Sequence, residues 1–90
     1  MFLSQPTWFA DLDAWWVPAT GDGISQHVEP LGVDDRHRLH VRASSPAWLT
    51  QTRLIASILT TRINEILASD TAELTGIIVV SGQGDQSPSR

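Results

Sequence analysis

Ninety residues with ten acidic and six basic side chains, a net charge of −4, bound this chain to one small domain with room for a single core. All six basic residues are Arg, and that balance argues against tight autonomous nucleic-acid binding, which needs an excess of positive charge, although it allows a local Arg patch. There is no Cys for a disulfide framework or a thiolate metal site, no run of about 18 apolar residues to span a bilayer, and no basic-then-apolar leader at the start, so a soluble cytoplasmic protein is expected.

Pro6-Thr7 followed by Trp8 to Val17 predicts a first helix with Thr7 as N-cap and Asp11 and Asp13 near its positive end. Pro18 should break it, because proline lacks a backbone donor and biases the preceding residue away from helical angles. Gly21-Asp22-Gly23 is then a flexible turn or the lead into a short helical turn through Ile24 and His27. Val28 to Val33 reads as a strand, with Pro30 best placed on a sheet edge. Asp34-Asp35-Arg36-His37 is a polar turn. In Arg38 to Ala43 the residues Leu39, Val41 and Ala43 alternate with Arg38, His40 and Arg42, the period of a half-buried strand closing an antiparallel hairpin.

Ser44 to Ala68 is expected to be one long amphipathic helix. Ser45 can cap its first turn and Pro46 suits the first helical position. At about 100° per residue, Trp48, Ile55, Leu59 and Ile66 share a narrow sector as the structural core, flanked by Ile58 and Ile63. Arg62 falls on the same side, where it snorkels or pairs with Asp11 or Asp13. After a Ser69-Asp70-Thr71 turn, Leu74 to Val80 is a β-branched strand buried on both faces or nearly so. Residues 82–90 hold no apolar side chain and read as a disordered tail after a single domain over residues 1–81. The order helix, strand, strand, helix, strand gives an α+β domain of two layers, a three-stranded sheet packed against the long helix.

Catalytic chemistry has no foothold here. His37 and His40 sit three apart on a turn and strand, His27 is remote, and no metal-binding spacing joins them. Ser44, Ser45 and Ser81 lack a nucleophile-elbow context, and the Gly pairs lack the residues of a phosphate loop. Neither a cofactor nor a catalytic residue is assigned, and no enzyme is expected. The four tryptophans carry more information. Trp15 and Trp16 are adjacent and point about 100° apart on a helix, so one of them should be exposed or half-exposed, either as an interaction anchor or folded against a strand. Both are candidate partner-binding residues. Arg38, His40 and Arg42 form the compact basic face, a candidate nucleic-acid contact.

The stretch from Trp16 to Val80 resembles the DciA family of bacterial proteins, which operate or load the replicative helicase DnaB. The resemblance rests on the ordered set Trp16, Gly21, Ile24, His27 and Pro30, then Leu39 and Val41, then Ser44, Ser45, Trp48, Gln51, Leu54 and Arg62-Ile63-Asn64. The hairpin turn departs from the family pattern, which has a Gly and one residue fewer. Pro18 interrupts the usual end of the first helix, and a short tail stands where many members carry a longer basic extension. The resemblance implies a domain similar to a K-homology fold, with αββαβ order, that engages a DnaB-type helicase and assists its loading during DNA replication. A K-homology GxxG clamp is not present. The alternative is a small K-homology-like nucleic-acid-binding module that uses the Arg38/His40/Arg42 face on single-stranded or tailed DNA. A third reading is a domain that pairs with itself through an exposed strand edge.

Overall fold

The computed structural model describes residues 5, 7–67 and 74–81. It shows an α+β domain in the order α1 (Leu12–Ser25), β1 (Val28–Val33), β2 (Arg38–Ala43), α2 (Pro46–Leu54), α3 (Ala56–Leu67) and β3 (Gly76–Ser81). The sheet runs β1-β2-β3, antiparallel between β1 and β2 and parallel between β2 and β3. A parallel pair needs a crossover, and α2 and α3 supply it. Residues 1–4, 6, 68–73 and 82–90, which include Ser69-Asp70-Thr71 and the expected tail, lie outside the described residues.

The alternation in β2 sets the two faces of the sheet. Leu39, Val41 and Ala43 are fully buried beneath the helices, joined by Val28 of β1 and Val79 of β3. Arg38, His40 and Arg42 point the other way, and Ile78 and Val80 are in register with His40 and Arg42. The described helices pack on one face only, α1 over β1 and α3, α2 over β2 and β3. The β-branched run of β3 is therefore not buried on both sides: Ile78 is half-buried and Val80 is exposed.

Two helix boundaries differ from expectation. α1 begins at Leu12, after Asp11, and the residues from Thr7 to Ala10 form a turn in place of the first helical turn. Pro18 does not end the helix. It sits exposed within α1. The kink comes at Gly21, whose φ of 84° and ψ of 169° are open to glycine, and a further helical turn runs to Ser25. Arg62 compensates for that kink. Its Nη1 donates to the Ala19 carbonyl at 3.1 Å, rather than pairing with Asp11 or Asp13.

The long helix is two helices. Ser45 caps α2 as its sequence implies, its hydroxyl accepting from the Trp48 N–H at 3.3 Å with Pro46 following. At Ile55, however, φ and ψ leave the helical region (−108°, 15°), and its N–H turns back to the Thr52 carbonyl at 3.2 Å. The offset rotates α3 relative to α2. Thr52, Leu59 and Ile63 become the buried positions, with the Thr52 hydroxyl satisfied by the Trp48 carbonyl at 2.7 Å. Of the expected sector, only Leu59 is fully buried: Trp48 and Ile55 are half-buried and Ile66 is exposed.

Asn64 ties α3 to the start of the last strand. Its side-chain amide donates to the Leu74 carbonyl at 3.0 Å and its oxygen accepts the Leu74 N–H at 2.8 Å, as a neighbouring strand would. Leu74 is thereby buried with both backbone groups satisfied.

Candidate partner-binding surfaces

Trp15 and Trp16 are both core residues, 0% and 2% exposed. The expectation that one of this adjacent pair is exposed fails because two different elements cover them. Trp16 lies against β1, its Nε1 donating to the Val28 carbonyl at 3.1 Å. Trp15 is roofed by the preceding turn: Trp8 meets it edge-on at 5.0 Å, Phe9 lies at 5.6 Å, and its Nε1 donates to the Phe9 carbonyl at 3.0 Å. Large aromatic rings with a satisfied polar edge bury well, and these are structural. As the domain stands, neither offers a contact to a partner.

The basic face of β2 is assembled, but acids hold its charges. Asp34, at the turn after β1, accepts from the Arg38 guanidinium Nε at 2.9 Å and from His40 Nε2 at 2.8 Å on one carboxylate oxygen. The other oxygen accepts the backbone N–H groups of Arg36 and Arg38 at 2.9 and 3.0 Å. The His40 hydrogen bond above all holds the Asp34 carboxyl well below its ordinary range; desolvation, next in size, pushes upward, and the two backbone donors and the Arg38 guanidinium act with His40 against it. Arg42 pairs with Glu29 directly across the strands through Nε at 2.9 Å and through Nη2. A phosphate approaching this face would meet two carboxylates along with the cations. The face closes the hairpin, and its excess positive charge is largely cancelled where it stands.

His37 occupies the left-handed region at φ 63° at the end of the hairpin turn, a conformation uncommon for a non-glycine residue. His27 stacks flat on Trp48, with centroids 4.6 Å apart and planes 8° from parallel. Among the described residues, no group of three His, Asp or Glu side chains comes together as a metal site. No described helix is long and apolar enough to cross a membrane.

A surface that sequence reasoning missed lies on the crossover helices. Leu54 at the end of α2 is 74% exposed, Ile58 on α3 55% and Ile66 37%. Ile58 borders a shallow depression of about 380 Å³ lined also by Ser57, Thr61, Arg62 and Glu65. Ile58 and Ile66 lie on α3, about 80° apart around its axis, and Leu54 ends α2 just before the break at Ile55. In a continuous helix Ile58 and Ile66 belong to the core sector or its flank. The break at Ile55 separates Leu54 from them, and nothing in the local sequence marks that break.

The family model of DciA, described as Dna[CI] antecedent, matches residues 1–79. A UPF0232 protein of Streptomyces avermitilis is 36% identical over 76 residues, covering 83% of this chain and 39% of the relative. A UPF0232 protein of Streptomyces coelicolor is 33% identical over 64 residues, 70% of this chain and 34% of its own length. One of Rhodococcus jostii is 42% identical over 48 residues, 53% of this chain and 25% of the relative. The chain thus spans about two-fifths or less of the length of these curated relatives. No solved structure matches it.

Proposed function

Because this chain belongs to the DciA family, we propose that it is a protein–protein interaction domain that engages the replicative DnaB-type helicase and assists its loading during DNA replication. The family match over residues 1–79 is the observation that carries this reading. The likeness to a K-homology fold belongs to the same proposal, supported by the order of the strands and the helical crossover between β2 and β3. No residue is assigned a catalytic role. Direct DNA binding by the Arg38/His40/Arg42 face is the less favoured reading, since Asp34 and Glu29 occupy those cations.

The contact is placed on the ridge of Leu54, Ile58 and Ile66. These are the large apolar side chains the helical layer leaves in water, and a partner helix laid along them would gain burial. Calorimetry of the full chain against the cognate helicase tests the reading. Binding by wild type is expected. No heat and no co-migration from folded wild-type protein overturns helicase engagement itself. Undiminished binding by Leu54→Ser/Ile58→Ser overturns the ridge as its location.

A further inference from the structure

The two edges of the sheet are treated very differently. On β1 the outward-facing backbone is interrupted at several points. The Val28 carbonyl accepts from Trp16 Nε1, Pro30 has no N–H, and the register slips between Pro30 and Gly32. At the far end, Val33 is clamped by the Gln5 side chain, its N–H donating to Oε1 at 2.8 Å and its carbonyl accepting from Nε2 at 3.5 Å. Proline, a bulge and a covering side chain are the usual means of preventing an edge from pairing.

β3 has none of these. The Thr75 N–H donates to the His37 carbonyl at 2.8 Å, and pairing with β2 then runs in unbroken register from Gly76 to Ser81. In a parallel ladder alternate residues bond to the neighbour, so Thr75, Ile77 and Val79 face β2. Gly76, Ile78 and Val80 direct their N–H and C=O groups outward, and among the described residues nothing pairs with them. The strand is Gly-Ile-Ile-Val-Val-Ser, without charge or proline. An unsatisfied row of this kind is complementary to another extended strand.

We propose that β3 is a homodimerisation edge, pairing antiparallel with β3 of a second copy about a two-fold axis at Ile78. The register carries the choice of occupant. Centring on Ile78 sets every outward-facing residue against another, Ile78 on Ile78 and Gly76 on Val80, so that all the open donors and acceptors are matched. On the helix-covered side the same register places Ile77 on Val79, and Thr75 falls on Ser81. Every central pair is apolar, and the glycine leaves room for the valine opposite. No like charges meet, although each copy carries a net −4. The interface is isologous and closes at two copies, joining the two sheets into one.

Sedimentation of the full chain from micromolar to millimolar concentration, with amide hydrogen exchange on the same samples, reads this directly. The expected result is a monomer–dimer transition in which the Ile78 and Val80 amides gain protection with concentration, while Ile77 and Val79 are protected throughout. Ile78→Lys and Ile78→Glu each place like charges opposite one another and should be monomeric, with circular dichroism reporting that they fold. Mixed together they should form a heterodimer, because only this register puts position 78 against itself. A single-copy mass at millimolar concentration overturns the proposal. So does a dimer whose Ile78 and Val80 amides remain fast, a mixture that stays monomeric, or protection that appears only when helicase is added. Apart from the last, none of these outcomes bears on helicase engagement, which calorimetry measures separately.

Discussion

Trp15 and Trp16 on α1, and Leu54, Ile58 and Ile66 along α2 and α3, are the two concentrations of large apolar side chains in the helical layer, and their surroundings are opposite. The tryptophans are sealed from two sides, by β1 beneath and by the Trp8–Phe9 turn above, and each indole N–H has a carbonyl to donate to. The ridge has a packed helix behind it and only the shallow Arg62–Glu65 depression beside it. Chemical type does not separate the two groups. What separates them is whether another segment of the chain returns to cover them. The first group therefore has to be read as stability and the second as surface available to a partner.

Substitution should divide the two regions accordingly, and the sealed side gives the largest effect. Trp16→Ala removes a fully buried ring and leaves the Val28 carbonyl without its indole donor. A loss of about 3–5 kcal/mol is expected from comparable aromatic truncations, a large part of the roughly 5–15 kcal/mol that holds a small domain folded. Urea unfolding measures it. A shift below about 1 kcal/mol would mean that the tryptophan is not core and would erase the contrast. Any fall in helicase binding by this variant reports unfolding rather than a lost contact.

Asn64 probes the joint between the regions, since it lies on α3 and holds the strand that follows. Asn64→Ala leaves the backbone N–H and C=O of Leu74 unpaired at a buried position. The cost should be about 1–3 kcal/mol, the usual penalty for orphaned buried polar groups. Hydrogen exchange should show the loss as faster exchange of Leu74 and the first residues of β3. Uniform loosening of the whole domain, with Leu74 no worse than the rest, would show that the two bonds do not anchor β3.

Asp34 tests a third kind of surface, closed by charge instead of packing. Its folded-state pKa is depressed, chiefly by His40, so the stabilisation it contributes is complete above the ordinary value of 3.8 and is lost as pH falls below it. Asp34→Asn should therefore be less stable than wild type at neutral pH, and the gap should close as the pH falls below 3.8. Urea midpoints of both proteins across the acid range give that difference. A gap that persists unchanged into acid would assign the effect to lost geometry at the turn rather than to the carboxylate charge.

Much of this architecture is legible in the sequence where local chemistry decides. The alternation of Arg38 to Ala43 marks both the strand and its buried face, Pro30 marks an edge, and Ser45-Pro46 marks a helix start. Legibility ends where distant contacts decide. Pro18 is accommodated within α1, and the kink falls instead on Gly21, with Arg62 reaching across to the freed Ala19 carbonyl. The helix divides at Ile55 without Gly or Pro nearby, while Leu59 and Ile63 keep the core-side position their periodicity implies. The basic face of β2 is visible in the sequence, but its neutralisation is not. Asp34 comes to lie against Arg38 and His40 only once the turn folds back on the strand.

The smallest expected change in stability belongs to the ridge, and there its smallness is informative. Leu54→Ser and Ile58→Ser remove side chains that are mostly in water, so unfolding should shift by no more than about 0.5 kcal/mol each. Both positions are helical, and serine carries a modest propensity cost of a few tenths of a kcal/mol relative to leucine that this range includes. Self-association through β3 should be unchanged, since neither side chain lies on that strand. Helicase binding should fall by about tenfold or more, corresponding to about 1.4 kcal/mol of lost contact. A variant that loses stability in proportion to binding would show that the ridge belongs to the core after all. Unchanged stability with weakened binding places the contact on the exposed apolar side chains at the junction of α2 and α3.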